Sequence, residues 1–119
     1  MGRNWDELTI WKESHKLVLD IYKVTAKFPK EEQYGLISQI RRAAISIPTN
    51  IVEGHSKGSG KDFIRFLYIS RGSLEEIKYL LQLSKDLNYI NNHIFEELFQ
   101  RLSKLSLQLN NFIKYLQTR

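Results

Sequence analysis

The sequence predicts an all-α fold, an antiparallel up-down-up-down four-helix bundle whose second helix is kinked at Pro48. Three observations predict it. Apolar residues recur at steps of three and four along four successive segments. No stretch of any length alternates as a strand does. The few glycines and prolines are grouped, mostly near the ends of those segments. Four amphipathic helices joined by short connections close most simply as an up-down bundle.

The first helix is expected over about Leu8 to Phe28. Leu17, Ile21, Val24 and Phe28 form its apolar stripe, which Trp11, Val18 and Tyr22 widen. Pro29 ends it by disfavouring helical geometry at Phe28. The second helix starts between Glu31 and Leu36 and runs to about Glu53. Its core face reads Leu36, Ile40, Ala43, Ile47, Ile51. The period continues across Pro48, so one kinked helix is expected rather than two. Gly54 is read as the left-handed residue that ends it.

The third helix spans about Gly60 to Asn88. Phe63, Phe66, Leu67, Ser70, Leu74, Ile77, Leu81 and Ser84 share one face. Ser59 is a natural N-cap, and Asp62 suits the positive end of the helix dipole. Gly72, in mid-helix, leaves two readings open: close approach of a neighbouring backbone, or an exposed position where glycine is tolerated. The fourth helix runs from about Asn92 to Gln117. Ile94, Leu98, Leu102, Leu105, Leu109, Phe112 and Leu116 follow a nearly strict coiled-coil spacing. Phe95, Phe99 and Ile113 lie off that seam; such apolar excess often marks a subunit interface, although one extra aromatic on a helix is usually just the edge of the core.

The chain's 119 residues suffice for one domain, read as residues 8–118 behind an N-terminal extension of residues 1–7. It contains no cysteine, which removes disulfides, thiolate metal sites and a cysteine nucleophile. The N-terminus lacks a signal-peptide core, and no apolar run approaches the ~18 residues of a membrane span. A soluble, cytoplasmic protein without membrane contact is expected. Net charge is +5. From Arg41 to Arg71 six basic residues face two acids, Glu53 and Asp62, so four of the five net charges sit there. Such an excess attracts polyanions.

The glycine- and lysine-rich stretch Glu53–Phe63 suggests a phosphate-binding loop, but the pattern fails. A P-loop requires Gly where His55 stands and a hydroxyl where Asp62 stands, and it follows a strand rather than a helix. The stretch is better read as a turn whose Lys57, Lys61 and Arg65 crowd one end of the bundle. That end could hold a phosphate backbone without reading bases. Metal and catalytic patterns are also missing. No Glu-x-x-His pair or His-Glu-x-x-His helix includes His15, His55 or His93. Neither catalytic residues, metal nor cofactor is expected, and the protein is read as no enzyme.

One polar constellation stands out. Arg42, Ser46, Asn50 and Glu53 are spaced by four, four and three beside the apolar stripe of the second helix. On the third helix Ser73 lies within the apolar face and Glu76 at its margin. Half-buried polar groups need partners. A hydrogen-bonded cluster joining the two helices is expected, with Arg42 engaging Glu76 or Glu53. Such a cluster could also satisfy carbonyls freed at Pro48.

These segments resemble a known family. Tyr34-Gly35-Leu36, Gln39, Arg41-Arg42, Ser46-Ile47-Pro48, Asn50-Ile51, Glu53-Gly54, Phe66-Leu67, Gly72-Ser73 and Glu76 are similar to elements of the four-helix-bundle proteins encoded in intervening sequences of bacterial 23S ribosomal RNA genes. The broader group includes the accessory variability proteins of diversity-generating retroelements. Arg71 stands where family members often have Ala, which adds a charge. The resemblance spans nearly the whole chain. It implies a four-helix bundle assembled into a homopentameric ring without enzymatic activity or cofactor, and association with RNA. For the retroelement accessory proteins it also implies a reverse-transcriptase partner.

Two functions are therefore weighed. One is a homo-oligomeric module that binds structured RNA or the ribosome through Arg41, Lys57, Lys61, Arg65 and Arg71, with Arg42 mainly structural. The other is a protein-interaction scaffold whose charge is incidental. An RNA-processing enzyme has no support in the residue spacing.

Overall fold

The computed structural model describes residues 4–119, and within them four α-helices form a bundle about 45 Å long and 22 by 20 Å across. They are α1 (Thr9–Thr25), α2 (Leu36–Ser56), α3 (Gly60–Asp86) and α4 (Asn92–Gln117). No strand occurs among the described residues. Two single 3-10 turns, Trp5–Glu7 and Lys30–Glu32, precede α1 and α2. The first of these folds back on the bundle, with the Trp5 ring edge-on to Trp11 at 5.0 Å.

The core is the union of the four apolar stripes. Leu17 and Ile21 of α1, Ile40, Ile47 and Ile51 of α2, Leu67, Leu74 and Ile77 of α3, and Leu102, Leu105 and Leu109 of α4 are all buried. Burying each such side chain contributes roughly 1.5–3 kcal/mol. Each helix packs on its sequence neighbours, α2 on α3 most extensively, and α1 closes the ring against α4. Cross-helix partners run in opposite directions. Gly54, Ile47 and Gln39 face Phe66, Ser70 and Glu76 in turn. Phe63 meets Phe112 while Lys85 meets Phe95.

Several sequence expectations need correction. Gly54 does not end α2. The helix runs unbroken through Pro48 to Ser56, and Gly54 is buried inside it. A Cβ there would lie 2.8 Å from Phe66 Cβ and 2.9 Å from Phe63 Cδ1, so glycine permits the close α2–α3 approach. The left-handed glycine of this connection is Gly58, with φ of 80°. Of the two readings for Gly72, the structure selects the exposed one, because a Cβ there would meet nothing within 4 Å. Phe95 and Ile113 are buried in the chain's own core and Phe99 packs against it, so they are no surplus.

Local chemistry explains the helix ends. The Ser59 hydroxyl accepts the Asp62 N–H and caps α3, and Asn91 caps α4 through the Ile94 N–H. Gly35, the residue before α2, supplies no side chain. Glu32 takes that place: its Oε1 accepts the Leu36 N–H while its Oε2 accepts the Tyr89 hydroxyl at 2.9 Å. One carboxylate thus ties the start of α2 to the α3–α4 connection. The Tyr89 phenol pKa is raised above its ordinary value, first because it donates to Glu32, then through burial and the nearby charges of Glu32 and Glu31.

Candidate nucleic-acid interface and the α2–α3 groove

The turn between α2 and α3 gathers cations on an aromatic surface. The Lys57 ammonium lies 5.4 Å and the Arg65 guanidinium 4.8 Å from the centre of the Phe66 ring. Lys61 is exposed and makes no ion pair among the described residues. Asp62, 3.6 Å from Arg65, is the acid paired within this group. A concavity of about 820 Å³ opens at the same end, walled by Phe63, Phe112 and Tyr115 and edged by Lys61, His55 and Arg119. The local reason is simple. Gly58 turns the chain within three residues, so the last turn of α2 and the first turns of α3 share one surface.

Arg41 and Arg71 lie elsewhere and are occupied within the chain. Arg41 donates to the Thr25 hydroxyl at 2.9 Å and to the Tyr22 carbonyl at 3.2 Å, and its guanidinium covers the Tyr22 ring at 4.3 Å. It thereby binds α2 to the last turns of α1. Arg71 donates to Asn110 Oδ1 at 2.8 Å and covers Tyr68.

The polar constellation is smaller than its spacing suggests. The Ser73 hydroxyl donates to the Ser46 hydroxyl at 2.8 Å, linking α3 to α2. Asn50 donates to both the hydroxyl and the carbonyl of Ser46. Ser70 donates to the Ile47 carbonyl at 2.8 Å. The carbonyls reached are those of Ser46 and Ile47, whereas the missing Pro48 N–H would have served Ala44. The expected Arg42 ion pair with Glu76 or Glu53 does not form. Glu76 accepts instead from the Gln39 amide at 3.4 Å, and Glu53 points to solvent. Arg42 is exposed and makes no hydrogen bond, ion pair or ring contact among the described residues. So of these adjacent arginines Arg41 holds the fold, and Arg42 is free.

Sequence reasoning did not identify the concavity that results. A groove of about 550 Å³ lies between the first half of α2 and the middle of α3. Ser46 and Ser73 line it, with Gln39 and Glu76 on its walls. Arg42 and Tyr34 edge it, and Tyr34 is 95% exposed. Seven of its nine lining residues come from the segments that carry the family resemblance. The signal was present in that clustering of polar residues, but only packing shows that they border open space.

The three histidines are dispersed. His15 stacks on Trp11, His55 meets the edge of Phe63, and His93 is exposed on α4. Among the described residues no group of three His, Cys, Asp or Glu side chains could hold a metal ion, and no helix is long and apolar enough to cross a membrane.

A family model described as 23S rRNA-intervening sequence protein matches residues 6–111. Among solved structures, the chain resembles a protein with unknown function from the S23 ribosomal protein family of Bacteroides thetaiotaomicron VPI-5482. The two share 24% identity with a TM-score of 0.80, over 88% of this chain and 95% of that one. At that identity the likeness concerns the fold. No curated protein matches the chain significantly.

Proposed function

We propose that this chain, which belongs to the 23S rRNA-intervening sequence protein family, is a non-catalytic, homo-oligomeric module of the cytoplasm that associates with RNA through its cationic end. The observation that carries this reading is that Lys57 and Arg65 share one ring, Phe66, at the α2–α3 turn, with the exposed Lys61 one turn before Arg65 and Asp62 as the paired acid. Like charges held this close repel one another, and a phosphate backbone relieves that repulsion while releasing its own counterions. Arg41 and Arg71 keep their charge although their hydrogen bonds are spent internally, so they extend the positive field along the bundle. Leu19, Leu107 and Tyr79, all more than half exposed, supply apolar surface for self-association, with a pentamer as the expected number. Repeating a weak patch around a ring multiplies its affinity.

The test is binding of a structured RNA, followed by fluorescence anisotropy across a salt series. The affinity of wild type should fall steeply with salt, by about 0.7–0.9 in log–log slope per phosphate contact. Substituting Lys57, Lys61 and Arg65 together by Gln should flatten that slope by about two to three per protomer. Absent binding at low salt, or an unchanged slope, refutes the reading. Light scattering gives the oligomeric state.

The same exposed apolar residues support a second reading, a scaffold that docks a protein such as a reverse transcriptase without touching nucleic acid. Capture of such a partner that survives nuclease and high salt would favour it.

A further inference from the structure

We infer that the α2–α3 groove takes one unpaired nucleotide of an RNA strand, with the base on Tyr34 and the phosphate on Arg42. This rests on the RNA-association reading and adds a second, base-contacting site away from the cationic end. Three features of the groove point to this ligand. Tyr34 is 95% exposed, an aromatic ring left in water at the mouth of a cavity. Bases stack on such rings, whatever their sequence. Arg42 is the described arginine without any partner, beside the same cavity, and a free guanidinium binds phosphate with two parallel hydrogen bonds. Its neighbour Arg41 shows that the fold can occupy an arginine when structure needs one.

The interior of the groove suits a base edge. Gln39 and Glu76 are joined by a long bond of 3.4 Å, which a better donor or acceptor can replace. Below them the Ser73–Ser46 bond, backed by Asn50, forms a satisfied and fixed floor. A volume of about 550 Å³ between two helices admits a single nucleotide but not a paired duplex. Glu76, an acceptor only, favours bases with an exocyclic amine. Cytidine should therefore bind better than uridine, which is of the same size.

The experiment compares short oligo(C), oligo(U) and a blunt RNA duplex, each labelled, on wild type and on Tyr34→Ala, Arg42→Gln and Glu76→Gln. All three side chains are exposed, so the variants keep the fold. Tyr34→Ala should weaken oligo(C) by about 5- to 150-fold, as for loss of one stacked base, and leave the duplex unchanged. Arg42→Gln should reduce the single-strand salt slope by about 0.7. Glu76→Gln should narrow the preference of oligo(C) over oligo(U). Failure of wild type to bind any RNA overturns both this inference and the reading beneath it. Normal RNA binding that Tyr34→Ala and Arg42→Gln do not alter overturns this inference alone. So does a change in oligomeric state with RNA affinity intact, which would make the groove a contact between copies. Cytidine monophosphate binding as tightly as oligo(C) would overturn the assignment to a strand.

Discussion

Replacing Gly54 by Ala should destabilise the bundle, although alanine is the better helix former. The residue sits inside α2, so propensity alone would favour the change by about 1 kcal/mol. Against this, the new methyl group would stand 2.8 Å from Phe66 Cβ, 2.9 Å from Phe63 Cδ1 and 3.3 Å from the Phe63 carbonyl oxygen. A Cβ moves only with its backbone, so α3 must shift away from α2 at this end. Overpacking of this kind costs about 1–3 kcal/mol, and two contacts below 3 Å place it near the upper end. The net loss should be about 1–2 kcal/mol, a fall in Tm of about 4–8 °C. Thermal denaturation by circular dichroism measures it. Gly72→Ala is the internal control: the same exchange in an open position should gain up to about 1 kcal/mol. Gly54→Asn separates the steric account from a helix-ending one. Asn tolerates left-handed geometry and would be milder than Ala at a helix end, whereas in a tight contact its larger side chain is worse. A Gly54→Ala variant as stable as wild type, or an Asn variant milder than the Ala one, would refute the reasoning.

Two further outcomes follow. Arg41→Gln should lower stability by about 1–2 kcal/mol, since it loses charged hydrogen bonds to Thr25 and Tyr22 and a ring contact, while Arg42→Gln should stay within about 0.5 kcal/mol of wild type; urea denaturation of the two variants side by side decides this. Tyr89→Phe should remove a stabilisation that depends on pH. Because the folded phenol pKa is raised, that contribution is fully present below the ordinary tyrosine value of 10.0 and disappears as pH rises through the folded value. The stability gap between wild type and Tyr89→Phe should accordingly be constant from pH 7 to 9 and shrink above pH 10; a gap that persists unchanged would count against the Glu32 bond.

Particular residues show what was legible in the sequence. Leu36, Ile40, Ala43, Ile47 and Ile51 announced α2 because helical period and burial are set within a few turns of chain, and all five are buried. Ser59 announced the start of α3 because a cap bonds its own next turn. Ser14 and Thr25 gave no such signal, yet both are buried in α1: each hydroxyl bonds a carbonyl three or four residues back, so a polar letter hides an interior position.

The sequence by itself determined the four helices, most of their core faces and the charge carried by the α2–α3 turn, because each follows from spacing along one stretch of chain. Only tertiary structure decided that Gly54 is a contact rather than a stop, that Arg41 is bound while Arg42 is free, and that Tyr34, Gln39, Ser73 and Glu76 border one groove. The reason is physical. These properties depend on how closely α2 approaches α3 and α1, and that distance is set by side chains far apart in sequence.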